Sequence, residues 1–213
     1  MYMAWQGLKV TAIDYLPPHV EAAERRVERQ GLQKQITVRH MDYHHLETIP
    51  DESHDAVYTL ETFVHASDPE AVLAGFYRIL KPGGKLVLLE YDNQLHNPQL
   101  PKHIRDAIEK INHYAAMPTN TRSCPGFYDG IMEGTGFVDI KVTDVTENIR
   151  PMLFLFWVLA SVPYFLVRLF HLEEHFINTV AGAKAYLGTE YWRYVKVEAR
   201  KPETLTDMEK EKE

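Results

Sequence analysis

Residues 67–92 read SDPEAVLAGFYRILKPGGKLVLLEYD and decide the fold. Asp68 is placed to cap a helix with Pro69 at its first position, where a missing N–H costs nothing. Val72, Leu73, Phe76, Ile79 and Leu80 then recur at helical period, forming one apolar stripe. Lys81-Pro82-Gly83-Gly84 stops that helix abruptly. Leu86 to Leu89 is continuously apolar, as a central parallel strand covered on both faces must be, and Glu90, Tyr91 and Asp92 are expected to emerge at its carboxyl end.

The same alternation extends outward on the amino-terminal side. Leu8 to Ile13 contains β-branched Val10, Thr11 and Ile13 and predicts a strand buried on both faces, closed by Asp14. Pro17 and Pro18 open a helix whose Val20, Ala23 and Val27 share a face, and Gly31 stops it. Ile36 and Val38 mark a second strand leading to Met41-Asp42. The polar stretch LETIPDESHD connects it to a third strand, Ala56 to Leu60, which ends in LETFVHA. Strands alternating with helices specify a doubly wound α/β fold, whose ligand crevice lies outside the carboxyl ends of the strands. Asp14, Asp42, Glu61 and Glu90 each stand at or just beyond such an end, so the four acids are expected to gather on one rim.

Composition narrows the function. A chain of 213 residues, 45% hydrophobic, can bury one substantial core. Its formal net charge of −7 argues against a nucleic-acid partner, which selects a basic face. The single cysteine, Cys124, forms no internal disulfide, no metal-ligand spacing of cysteines exists, and a reducing compartment follows. The first residues lack the charged and apolar regions of a secretory leader, so a cytoplasmic location is expected.

The segments VTAID, HMDYHHL, DAVYTLETFVHA, FYRILKPGGKLVLLEYD and MEGTGFVDIKV, in that order, resemble a class I S-adenosylmethionine-dependent methyltransferase. The resemblance covers roughly residues 8–145 and resumes at 191–200; the Lys-Pro-Gly-Gly turn is its most specific element. It implies a Rossmann-like sheet, S-adenosyl-L-methionine as cofactor, and a small hydrophobic, lipid-like or secondary-metabolite acceptor. LETFVHA looks most like the Glu-Ala-Thr-x-His element of the sterol and small-lipid C-methyltransferases: Glu61, Thr62 and His65 match it, while Phe63 and Val64 depart. Methyl transfer asks the protein chiefly for binding, alignment and charge placement. Asp14, ending its strand, is suited to both ribose hydroxyls, as in dinucleotide-binding sheets. The resemblance places Asp42, with Tyr43 beside it, at the adenine amino group. Glu61 falls near the cationic methyl donor and the developing charge on the acceptor, and His65 has the chemistry to take a proton near neutrality. Glu61 and His65 are therefore the catalytic candidates, and Glu90 and Tyr91 the substrate-side ones.

The family's glycine-rich cofactor turn, which follows its first strand, has no counterpart before Lys9. Gly134-Thr135-Gly136 follows a short helix and reads as a helix stop. Residues 1–6 look like the helix that joins the family's first two strands, so the sheet is expected to lack its first, central strand. Two readings compete: a shortened form of a working methyltransferase, which is favoured because a lost central strand exposes two edges, or a methyltransferase-like protein that binds or assembles without catalysis.

One methyltransferase-like domain is expected over residues 1–200. Ile104, Ile108, Ile111 and Ala115 predict a cap helix beside the acceptor pocket. GFVDIKVTDVTE and EYWRYVKVEARK predict an antiparallel strand pair separated by a helical insertion, residues 149–188. The insertion opens with an apolar run from Pro151 to Val167, just short of the ~20 residues that span a bilayer. A lid over a greasy substrate, a membrane-surface helix and a spanning helix are all compatible with it, and a membrane surface and a second copy of the chain stay open as partners. HLEEH, His171–His175, satisfies the H-x-x-E-H zinc pattern, but no third ligand presents itself, and no metal site is assigned. Residues 201–213 are polar and charged and are expected to be disordered. A nicotinamide-dependent oxidoreductase is the rival enzyme class. Neither Tyr43 nor Tyr58 begins a Tyr-x-x-x-Lys element that would support it, and Tyr77, which has that spacing to Lys81, runs into the Lys-Pro-Gly-Gly turn that favours the methyltransferase.

Overall fold

Asp68 does cap the decisive helix: its carboxylate accepts from the Ala71 N–H at 2.9 Å, with Pro69 in the first turn. The computed structural model describes residues 1–203. The chain divides into two compact units, Met1–Pro50 and Asp51–Glu213.

The first unit runs α1 (Tyr2–Trp5), β1 (Val10–Asp14), α2 (Pro17–Arg29) and β2 (Ile36–His40). β1 and β2 pair in parallel from Val10↔Ile36 to Asp14↔His40. Ala4, Val27, Leu32 and Ile36 form its small core, with Val10, Ala12 and Val38 packed against them. β1 is half-buried along its whole length, against the expectation of burial on both faces, because within the unit it has one strand neighbour only.

The second unit runs β3 (His54–Leu60), α3 (Pro69–Ile79), β4 (Leu80–Asn93), α4 (Lys102–Tyr114), α5 (Phe127–Thr135), β5 (Val138–Asp144), α6 (Thr146–Leu169), α7 (Ile177–Ala185) and β6 (Trp192–Arg200). Its sheet has the order β3-β4-β6-β5, with β3 parallel to β4 and β6 antiparallel to both its neighbours. Leu73, Phe76, Leu86, Leu88, Met132, Phe137, Val195 and Val197 fill the core. The predicted apolar stripe of α3 and the alternate residues of β4 both point into it.

Three local expectations are corrected. Lys81–Gly84 do not form a free turn; they lie within β4, where the pairing jumps from His54↔Leu80 to Ala56↔Lys85. Gly84 is required there, since a Cβ would meet the Lys81 carbonyl oxygen at 2.8 Å. β4 also continues past Glu90 to Asn93, because β6 pairs with it as far as Asn93↔Trp192. Glu90 is thus an interior strand residue and fully buried rather than a rim group. HLEEH follows the end of α6 in turns, with His171 at φ 55°, so its histidines do not share a helical face. Lys201 and Pro202, assigned to the tail, are buried, and Lys201 Nζ donates to the Leu80 carbonyl at 2.8 Å. The remainder of that tail, from residue 204, lies outside the described residues. Gly136, at φ 99°, ends α5 as expected.

The apolar insertion forms α6 and α7. α6 is long and apolar enough to cross a membrane, but β5 and β6, which flank the insertion, are adjacent strands paired at Asp144↔Val195. The chain leaves the sheet and returns to it on one side, which a single crossing cannot do.

Candidate functional site

In the first unit, Met41 N–H donates to the Asp14 carbonyl at 3.0 Å, setting the acid-bearing ends of β1 and β2 side by side. Asp14 Oδ1 accepts from Leu16 N–H at 2.8 Å, and Oδ2 lies 3.2 Å from His19 Nδ1. These local bonds fix the carboxylate at the helix entrance and leave each oxygen a second lone pair. Asp42 Oδ1 accepts from the His44 backbone at 2.9 Å and from its ring Nδ1 at 2.7 Å, leaving Oδ2 able to accept from an amino group. Burial alone would raise the Asp42 carboxyl, but the His44 bonds and the His44 and His45 charges outweigh it and hold the group below its ordinary value. Tyr43 stacks on His44 with centroids 4.7 Å apart and planes 24° off parallel, giving a flat aromatic surface beside that acid.

In the second unit, Glu61 follows β3 directly and sits at φ 51°, a left-handed conformation that non-glycine residues rarely adopt. Its carboxylate accepts from Tyr91 Oη at 2.6 Å, and its charge reaches the Tyr194 phenol. Burial first, then the Glu61 bond and charge, push the Tyr91 phenol far up; burial first, then the Glu61 charge, do the same to Tyr194, so both rings stay neutral. Trp192 and Tyr194 lie edge-on or tilted against Tyr91, with centroids 5.7 and 5.4 Å away. A carboxylate framed by electron-rich rings suits positive or developing positive charge.

Glu90 sits behind this group. Its Oε1 accepts from Phe63 N–H at 2.7 Å, Thr62 N–H at 3.0 Å and Thr59 Oγ1 at 3.3 Å, so it ties the end of β3 to the 3₁₀ turn Phe63–His65. Oε2 is buried with no partner. Burial dominates over these bonds and pushes its carboxyl up to about 7. His65 extends from the same turn: its Nδ1 donates to the Ala116 carbonyl at 2.8 Å, which places the other lone pair on Nε2.

Asp14, Asp42 and Tyr43 are thus together in the first unit, and Glu61, Glu90 and Tyr91 in the second. Tyr194 and Trp192 were not singled out from the sequence. The aromatic density of EYWRY at the start of β6 is the signal that could have found them, because the register sets Tyr194 opposite Tyr91. Glu61→Gly tests whether Glu61 serves function or fold. Glycine accepts φ 51° freely, so relief of backbone strain offsets the lost hydrogen bonds and stability should change by less than about 1 kcal/mol. Activity should fall at least tenfold while the melting temperature holds; loss of both would make Glu61 a structural residue.

The adenosine half of S-adenosylmethionine finds suitable groups in the first unit: an anchored acid for the ribose diol, a carboxylate oxygen for the adenine amino group and an aromatic face for the base. Among the described residues, no strand with a glycine-rich turn precedes β1.

These features define a class I methyltransferase fold. A methyltransferase-domain family model matches residues 1–88. The chain is 42% identical over 205 residues to the S-adenosyl-L-methionine-dependent Diels-Alderase iccD of Talaromyces variabilis, covering 95% of this chain and 70% of that protein. It is 27% identical to the sterol 24-C-methyltransferase erg-4 of Neurospora crassa, covering 84% of this chain and 48% of the relative. The structure also matches that of a geranyl diphosphate methyltransferase in complex with SAM, at a TM-score of 0.70 and 19% identity, over 94% of this chain and 73% of that one. The chain belongs to the S-adenosylmethionine-dependent methyltransferase family, whose cofactor is the one the sequence implies.

Proposed function

We propose that this chain is an S-adenosylmethionine-dependent enzyme that cyclises a small hydrophobic secondary metabolite by a [4+2] addition, instead of methylating it. The observation that carries this reading is the 42% identity to a Diels-Alderase, sustained along 95% of the chain; the sterol methyltransferase match is much weaker. The site chemistry agrees. A cycloaddition needs a shaped, aligned substrate and fixed polar groups, without a leaving group or a base. Glu61, already accepting from the Tyr91 phenol, is a fixed charge more than a proton acceptor. When bound, S-adenosylmethionine supplies a permanent sulfonium charge and, in a methylating enzyme, the methyl group. Asp14 and Asp42 hold its ribose and adenine, with Tyr43 against the base. Glu61, Tyr91, Tyr194 and Trp192 line the substrate side, and Glu90 holds the turn behind them.

Methyl transfer is the second reading, favoured by one observation: His65 Nδ1 is fixed by a carbonyl, which leaves Nε2 as a base. The two are separated by incubating the chain with S-adenosylmethionine and a linear diene–dienophile polyketide. An isomeric product of unchanged mass with the cofactor unspent supports cyclisation. A methylated product with stoichiometric S-adenosylhomocysteine overturns it.

A further inference from the structure

The face of α6 that the sheet and α7 leave uncovered has a regular seam. Met152, Leu155, Leu159, Val162, Leu166 and Leu169 follow one another at intervals of three and four residues and are 43, 53, 64, 75, 50 and 58% exposed. That spacing is the heptad repeat by which helices pair. The opposite side is already occupied: Leu153 and Val167 are buried, and Ala160 lies where a Cβ on Gly182 of α7 would meet it at 3.3 Å. Phe156 and Phe165 widen the seam on its flanks, at 46 and 66% exposed, and Pro163 falls beside it without entering it.

We propose that this seam is a self-association surface, on which the α6 helix of one chain pairs with that of a second copy. Three observations choose this occupant. The exposed side chains present on the order of 1,000 Å² of apolar surface, above what a monomer leaves uncovered and close to the roughly 800 Å² per partner of a stable interface. Residues 151–167 contain no Asp, Glu, Lys or Arg, so α6 lacks the charged face that holds an interfacial helix at a lipid headgroup layer. The antiparallel pairing of β5 with β6 rules out a single crossing. A seam that complements itself closes with twofold symmetry and leaves no further copy to add.

Light scattering on the full chain after size exclusion, at tens of micromolar, should give the mass of two chains. Leu159→Lys/Leu166→Lys should weaken dimerisation at least tenfold with unchanged circular dichroism and melting temperature. If that variant folds poorly, Val162→Glu serves, since its side chain is the most exposed of the six and the monomer does not depend on it. Tyr58→Lys/Leu60→Lys, on the open side of β3, should leave the dimer intact. A monomeric wild type overturns the proposal, as do a dimer that survives the seam variants, a dimer lost with the β3 variant, or flotation of the chain with phosphatidylcholine–phosphatidylserine vesicles in place of dimerisation.

Discussion

Replacing Asp14 by alanine is expected to lower the affinity for S-adenosylhomocysteine about 100-fold. A carboxylate that accepts from two ribose hydroxyls gains at least about 1.5 kcal/mol from each bond, and 3 kcal/mol is about two decades of affinity. The group is prepared for that task. Leu16 N–H and His19 Nδ1 already hold its two oxygens in place, so little side-chain freedom is lost on binding. The ion pair with His19 is itself minor, because both side chains are largely exposed at 63 and 42%. The loss in the variant therefore measures ligand contacts and not a damaged fold. Asp14→Asn, which keeps one acceptor oxygen, should fall between the two. Isothermal titration calorimetry decides: an affinity unchanged in Asp14→Ala would remove the first unit from cofactor binding.

Glu90→Ala should lower the melting temperature by roughly 10 °C. It strips the acceptor from the Phe63 and Thr62 N–H groups and from the Thr59 hydroxyl inside the core, a loss of about 3 kcal/mol, and each kcal/mol moves a unit of this size by about 2–4 °C. Glu90→Gln keeps that acceptor and should be near neutral at pH 7. The two also differ in pH response. The folded carboxyl titrates at about 7 against an ordinary 4.5, so between those values the folded state binds more protons than the unfolded one. The stability it contributes is complete below pH 4.5 and is lost as pH rises through 7, about 3 kcal/mol in all. Asp92, raised by burial despite its Arg193 partner, adds in the same direction. Wild type should thus melt lower at pH 8 than at pH 5, and Glu90→Gln should flatten most of that slope. An equally steep profile in the glutamine variant would place the titrating group elsewhere.

What the sequence made legible was local. Asp68, Pro69 and the stripe to Ile79 define α3 because capping and a 3.6-residue period act within one helix. Asp14 and Gly136 were readable for the same reason, each ending its own element. The position of Glu90 was not, since how far β4 runs is set by β6, a strand about a hundred residues later, and no period within LVLLEYD records that partner. Tyr194 and Trp192 were missed on the same ground: their role depends on register against Tyr91. The insertion was visible as a charge-free run, but being apolar on every side it carried no sign of which face the fold would leave bare.

The order β3-β4-β6-β5 has a consequence during synthesis. Among the described residues β6 is the last strand to be made, yet it lies between two that precede it, so β4 and β5 wait on the nascent chain without their common neighbour until residues 192–200 have left the ribosome. The second unit cannot close cotranslationally in steps. Its yield in the cell should respond to chaperone supply and to translation speed over the codons for residues 145–200 more than to any single contact in the finished protein.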